Sequence, residues 1–324
     1  MTAPPTVLVT GAAGFVGSHL LDRLEAEGAR VVAWRRPGEG LPAPPTGATC
    51  QWREVDVLDR ASVERALREA QPAAVFHLAG AAHVGQSWDR AAETLAVNVL
   101  GTHHLLSALA AAAPACRVLI SGSALVYKQQ DRALAEDDPL GPASPYGLSK
   151  LAQEMAGLRA FVESGQAVVV TRSFNHIGPR QDPSFSTPSF ARQIARIEAG
   201  LAPPTMSVGN LDARRDLMDV RDTVAAYHAL IRDGRPGAAY NVCTGRAFVV
   251  RDILDGLRAH ARVPVEVRTD TSLLRRHDAP LMLGNPARLA AELGWAPRIP
   301  MAQTLRDILD YWRGVVAAEA GREA

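Results

Sequence analysis

Tyr146 and Lys150, four residues apart in SPYGLSK, are the clearest acid–base pair in the sequence. On a helix this spacing puts both side chains on one face. A phenol with a reference pKa of about 10 is a poor acid or base near neutrality. A neighbouring ammonium would stabilise the phenolate and lower that value. Ser123, in SGSALVY, could donate a hydrogen bond to the same carbonyl or alcohol oxygen that Tyr146 serves.

A second constellation lies near the N-terminus. VLVTGAAGFVGSHL places Gly11, Gly14 and Gly17 between a β-branched run and an amphipathic stretch. The first glycine permits a tight turn, the second lets backbone approach a pyrophosphate, and the third allows close helix–strand packing. The amides of Phe15, Val16 and Gly17 then form a helix N-terminus suited to phosphates. At the end of the next strand an acidic residue would bind a ribose 2′-hydroxyl; this chain has Arg35 and Arg36 instead. They can grip a 2′-phosphate, so the expected cofactor is NADPH, with NADH possible. Asp56, in DVLD, could accept from an adenine amino group or serve only as a turn residue.

These residues need a scaffold that alternates strands and helices. Strands are expected at Thr6–Thr10, Val31–Trp34, Gln51–Val55, Ala74–Leu78, Arg117–Ser121 and Ala167–Arg172. Helices are expected at Gly17–Glu27, after the N-cap Asp59, at Asp89–Ala112 and at Ser144–Ser164. That order implies an α/β fold with a doubly wound parallel sheet. After Arg172 the prolines 179, 183, 188, 203 and 204 predict loops and short helices. A helix at Asp222–Arg232 and a strand at Ala239–Val242 read as a return to the sheet, and a further strand is expected at Val263–Arg268. The expected division is a dinucleotide-binding domain, 1–172 with 219–243, and a smaller interleaved α/β substrate lobe, 173–218 with 244–324.

Composition excludes several classes. Lys and Arg total 35 against 34 acidic residues, a net charge of +1 that gives no global attraction to nucleic acid or anionic membranes. Three scattered cysteines, Cys50, Cys116 and Cys243, argue against a disulfide framework or a zinc site, and no metal is expected. The start lacks a basic and apolar leader, and no apolar run is expected to reach the roughly 20 residues of a membrane span, so the expectation is a soluble, cytoplasmic protein.

Gly11-x-x-Gly14-x-x-Gly17, Ser123 and Tyr146-x-x-x-Lys150 together resemble the extended short-chain dehydrogenase/reductases, over almost the whole chain. The resemblance implies that Ser123, Tyr146 and Lys150 are catalytic and that Lys150 also holds the nicotinamide ribose. It runs the backbone of Val57 and of Leu78, Ala79 and Gly80 beside the cofactor, while His77 reads as a packed residue. Asn98 would tie the long helix to the active-site region. Asn175 in RSFNHIGP, Arg180 after GP, Arg215 in RRDLMDVRD and Arg275 in LLRRHDAP match substrate-side positions. The long helices Asp89–Ala112 and Ser144–Ser164, with Leu105, Leu109, Leu151 and Met155, would pair into a homodimer.

The family shares one site among epimerases, dehydratases and reductases. Leu125 stands where the 4,6-dehydratases resemble one another in a carboxylate that moves the C5 proton, and where GDP-fucose synthases have a Cys. Leucine has no proton to exchange, which disfavours both reactions. AWRRP, RSFNHIGPRQ and YNVCTGRA resemble the family's reductases of GDP-linked 4-keto-6-deoxy sugars. That implies NADPH-dependent reduction at C4. A 4-epimerase is the first alternative, and a GDP-mannose 4,6-dehydratase or a non-catalytic NADP-binding regulator comes after it; the epimerase would retain its cofactor through the cycle.

Overall fold

The computed structural model describes residues 5–40, 50–274 and 279–323. The chain runs β1 (Thr6–Thr10), α1 (Phe15–Ala26), β2 (Arg30–Arg35), β3 (Cys50–Glu54), α2 (Arg60–Ala70) and β4 (Ala74–His77). Next come α3 (Ala91–Leu95), a π-helical turn (Ala96–Leu100), α4 (Gly101–Ala112), β5 (Arg117–Ser121), α5 (Pro145–Ser164) and β6 (Ala167–Ser173). The later elements are β7 (Asn175–Ile177), α6 (Ser186–Glu198), β8 (Thr205–Val208), β9 (Arg214–Asp219), α7 (Val220–Asp233) and β10 (Ala239–Val242). The last are β11 (Ala247–Val249), α8 (Val250–Arg258), β12 (Glu266–Thr269), β13 (Leu281–Met282), α9 (Ala287–Leu293) and α10 (Met301–Glu323).

A seven-stranded sheet in the order β10-β6-β5-β4-β1-β2-β3 forms the centre, and every neighbouring pair in it is parallel. The order reverses between β1 and β4, the switch point where such sheets open a crevice for ligands. Strand alternation builds a core on each face. Val9, Leu119 and Val169 point into a cluster with α1 and α7, while Leu8, Val118 and Val168 point into another with α2 and α4. A third cluster lies away from this sheet, where Ile194, Ile253, Leu257 and Ile308 bring α6, α8 and α10 together.

Local chemistry explains the boundaries. Asp59 caps α2 by accepting from the Ser62 amide, and Ser144 caps α5 by accepting from the Gly147 amide, with Pro145 at the first helical position. Gly165, in the left-handed region at φ +68°, ends α5.

The proline-rich region departs from expectation. α6 is a regular 13-residue helix because Pro188 falls in its first turn, where no intrahelical amide bond is lost. The strand expected at Val263–Arg268 lies at Glu266–Thr269, paired with β8. β7, β8, β9, β11 and β13, which join β12 in two small sheets, escaped the periodicity reading because they are only two to six residues long. The expectation about apolar runs needs correcting too: Ala91–Ala112 is long and apolar enough by composition to cross a membrane, with mean hydropathy 1.4. Core packing accounts for part of that apolarity, since Leu105, Leu106 and Leu109 are buried against the sheet. The same burial removes Leu105 and Leu109 from any surface contact.

Candidate active site

The glycine loop has the geometry of a phosphate cradle. Gly11 lies in the left-handed region at φ +65°, and a Cβ there would sit 2.7 Å from the Ala79 amide nitrogen. A Cβ on Gly17 would come within 2.3 Å of the Gly11 carbonyl oxygen. No side chain caps the first turn of α1, which begins at Phe15 and Val16, so its N-terminal end is available to an anion. The Ala79 amide donates to Thr10 Oγ1 at 3.1 Å, fixing the Leu78–Gly80 backbone beside this loop. These features fit a dinucleotide pyrophosphate.

Arg35 ends β2 and ion-pairs with Glu54 on β3 at 2.7 Å, while Arg36 is exposed beside it. Asp56 accepts the Leu58 amide at 2.9 Å, so one of its oxygens serves as a turn cap. Val57 is buried, and its carbonyl accepts from His104 Nδ1 at 3.1 Å.

Ser123, Tyr146 and Lys150 come together, and all three are buried. Ser123 follows β5 and caps a short turn by accepting from the Leu125 amide at 3.2 Å. Tyr146 and Lys150 rise from the first two turns of α5, with the ammonium 6.0 Å from the phenol ring centre. Burial pushes the Tyr146 phenol up to about 12, with the adjacent Ser123 side chain offsetting part of the rise. The lowering expected from the ammonium does not set the direction in the folded chain; desolvation does. Burial likewise lowers Lys150 to about 8. Near neutrality the site therefore holds a protonated phenol beside an ammonium, which is the state a proton donor needs.

The surrounding backbone is fixed by Asn98, carried on the π-helical turn. Its Oδ1 accepts the Ala81 amide at 2.8 Å, and its Nδ2 donates to Ser149 Oγ at 2.8 Å. This ties the segment after β4 to α5 next to Lys150. Gly80 has to be small: a Cβ there would meet Asn98 Oδ1 at 2.8 Å and Lys150 Nζ at 3.5 Å. Sequence reasoning missed Gln153, whose Oε1 accepts from Lys150 Nζ at 2.9 Å. Its i+3 spacing from Lys150 was the available signal.

The substrate-side residues are less convergent. Asn175 is exposed on β7, in register with Leu217 of β9. Arg215 donates to the Ala279 carbonyl at 2.6 Å. Arg275 lies outside the described residues. The Arg180 guanidinium bonds Asp22 and His19 on α1 and lines a cavity of about 560 Å³ with Arg23, Arg221 and Tyr311. Its backbone is in the left-handed region at φ +72°, and the opposite charge of Asp22 holds the guanidinium against α1.

The family model described as GDP-mannose 4,6 dehydratase matches residues 8–308. The chain belongs to this family. It is 38% identical over 316 residues to a GDP-6-deoxy-D-mannose reductase of Pseudomonas aeruginosa, covering 97% of this chain and 99% of the relative. The solved structure of RMD from Pseudomonas aeruginosa complexed with NADPH superposes with a TM-score of 0.84 at 37% identity, covering 96% of this chain and 99% of that one. A Thermus thermophilus UDP-glucose 4-epimerase complexed with NAD gives the same TM-score, 0.84, at 28% identity, covering 95% and 99%. Within this dehydratase family the chain carries Leu125 on the turn beside Ser123, part-buried against Ala124, Val126 and Tyr127.

Proposed function

We propose that the protein reduces the C4 ketone of GDP-4-dehydro-6-deoxy-D-mannose with NADPH, giving GDP-D-rhamnose. The observation that carries this reading is Leu125. A site with Ser123, Tyr146 and Lys150 but an aliphatic side chain beside Ser123 can move a hydride and one proton, and offers no carboxylate there for dehydration. The GDP-sugar and the reduction come from the 38%-identical relative, and the NADPH from the solved neighbour and from Arg35.

NADPH supplies the hydride when bound. The residues of the chain hold it and handle the proton. The glycine loop and the start of α1 take the pyrophosphate, Arg35 and Arg36 take the 2′-phosphate, and Asp56, Val57 and Leu78–Gly80 flank the rest. Ser123 orients the substrate oxygen at C4 and Tyr146 gives it a proton. Lys150 holds the ribose and stabilises the phenolate left behind. Asn175 and Arg215 face the sugar nucleotide.

The two-lobe division, 1–172 with 219–243 against 173–218 with 244–324, belongs to the same reading and is supported by the separate core around α6, α8 and α10. So does a cytoplasmic homodimer. It is supported by Leu148, Met155 and Val162, spaced by seven along α5 and 50%, 58% and 80% exposed, with Leu100 nearby in sequence to α4 at 45%.

The test mixes the protein and NADPH with GDP-, dTDP- and UDP-linked 4-keto-6-deoxy sugars and follows NADPH consumption. Stoichiometric consumption with the GDP-sugar is expected, and NMR should show the C4 alcohol of rhamnose. Tyr146→Phe should lower kcat by roughly 10²–10⁴-fold while NADPH affinity barely changes. With the matching 4-hydroxy sugar nucleotides offered instead, C4 inversion without net cofactor turnover would make the protein an epimerase.

A further inference from the structure

Lys150 Nζ donates to the Ser121 carbonyl at 2.8 Å and to Gln153 Oε1 at 2.9 Å. An ammonium has three N–H donors, so one is left for a ligand. From Gln153 a buried chain of hydrogen bonds continues away from the site. Gln153 Nε2 donates to Thr102 Oγ1 at 2.8 Å, and Thr102 gives its own hydroxyl proton to the Asn98 carbonyl at 2.7 Å. His77 Nε2 meets the same Thr102 oxygen at 2.8 Å, and His77 Nδ1 meets Thr10 Oγ1 at 2.8 Å. Thr10 in turn accepts the Ala79 amide beside the glycine loop.

Proton counting leaves a single arrangement. Thr102 has spent its proton on Asn98, so His77 Nε2 carries a hydrogen and donates, and His77 Nδ1 accepts from Thr10. Gln153 must then point its NH₂ at Thr102 and its carbonyl at Lys150. The reversed amide would set two donors against each other at Lys150 and two acceptors at Thr102. Thr10, His77, Asn98, Thr102 and Gln153 are each fully buried or nearly so, so none of these bonds is exchanged for water at little cost.

We infer that Gln153 is the positioning residue for Lys150: the relay from the glycine loop fixes the Gln153 amide, and its carbonyl aims the ammonium and keeps it charged. The inference rests on the proposed reading of Lys150 as the group that holds the ribose and supports Tyr146. Burial alone lowers Lys150 to about 8. The other titratable groups around it are Tyr146 on the same helix, His77 from β4 and Tyr227 from α7, which bonds the Ser121 hydroxyl at 3.1 Å. Burial and the nearby ammonium hold His77 down to about 3, so it is neutral. Glu154, next along α5, is committed to Arg172. The Gln153 carbonyl and the Ser121 carbonyl thus supply the local stabilisation of the charge.

The sequence makes this directly measurable, because Lys128 and Lys150 are its only lysines. Protein labelled with ¹³C at lysine Cε gives two titrating resonances, and Lys128→Arg assigns them without any ligand. Gln153→Leu removes the acceptor and should move the Lys150 midpoint down. Gln153→Glu is near-isosteric, keeps an acceptor and adds a negative charge, and should move it up by about one unit or more. In turnover, Gln153→Leu should lose about ten-fold in kcat near neutral pH with the sugar-nucleotide KM kept, a small part of what proton transfer contributes. Gln153→Glu should recover most of that loss. If Lys150 titrates at the wild-type midpoint in both variants, Gln153 does not position it. The proposal is overturned equally if Gln153→Leu fails to fold and Gln153→Glu leaves the midpoint unmoved. Lys150→Met separates the two readings: full activity there removes Lys150 from the proposed site, whereas lost activity with silent Gln153 variants overturns only the role of Gln153.

Discussion

Arg35 Nη2 and Glu54 Oε1 stand 2.7 Å apart across the ends of β2 and β3, so the arginine assigned to the 2′-phosphate already has an anionic neighbour. Glu54 is half exposed, and a pair of this kind contributes little, about 0–1 kcal/mol. A dianionic phosphate can compete for the guanidinium, yet Glu54 also repels that phosphate. Glu54→Gln should therefore raise the NADPH/NADH ratio of kcat/KM. Replacing Arg35 and Arg36 together by Ser should lower the ratio by about ten-fold or more, given charge-assisted bonds of roughly 1.5–3 kcal/mol. A double variant with the wild-type ratio would show that the 2′-phosphate is held elsewhere.

The pH dependence follows from the two shifted groups. Reduction needs Tyr146 protonated, and its phenol stays so up to about 12. Lys150, lowered to about 8, loses its charge first. The kcat/KM for reduction should be level through neutrality and fall as pH rises through about 8, since this ratio reports groups of the free enzyme. A profile still level well above that midpoint would separate Lys150 from the rate.

The parts of this site that could be read in the sequence are those in which residue type and spacing carry the chemistry. Gly11, Gly14 and Gly17 announced the tight turn, and the alternation of strands and helices announced a parallel sheet. Tyr146 and Lys150 needed only the helical repeat to share a face. Burial was not legible: the ammonium was expected to lower the Tyr146 phenol, and desolvation in the folded chain moves it the other way. Arg180 shows a related limit, because Asp22, 158 residues earlier, decides where its guanidinium goes. Gln153 was passed over because an amide becomes informative only once its donors and acceptors have partners.

Folding stability should depend on the buried pair of Arg172 and Glu154, whose side chains are 6% and 1% exposed and meet at 2.6 Å. Arg172 also donates to Tyr127 Oη at 3.0 Å and to the Glu136 carbonyl at 2.8 Å, joining α5, β6 and the segment that follows β5. Glu154→Gln leaves the guanidinium buried without its counter-charge, at a cost of about 3–5 kcal/mol. The urea midpoint should fall clearly. Glu154→Leu combined with Arg172→Met should lose less than the sum of the two single changes, because neither partner is then left buried alone. Additive losses would show that the two charges act independently.

The proposed homodimer would rest on the outer face of α5. Leu148, Met155 and Val162 recur every seven residues, the spacing that keeps side chains on one seam of a packed helix, and all three are exposed in the single chain. Leu105 and Leu109 cannot contribute, since they are fully buried against the sheet of their own chain. A two-fold pairing would bring the α5 seam of one copy against that of the other and cover these side chains. Light scattering at micromolar concentration should give twice the chain mass of 34.6 kDa. Leu148→Glu with Met155→Glu would place like charges opposite one another across the two-fold axis and should yield a monomer. Because both side chains are exposed in the single chain, the circular dichroism of the double variant should match the wild type. A wild-type mass of one chain would sink the dimer, and an unchanged dimeric mass in the double variant would move the interface off this seam.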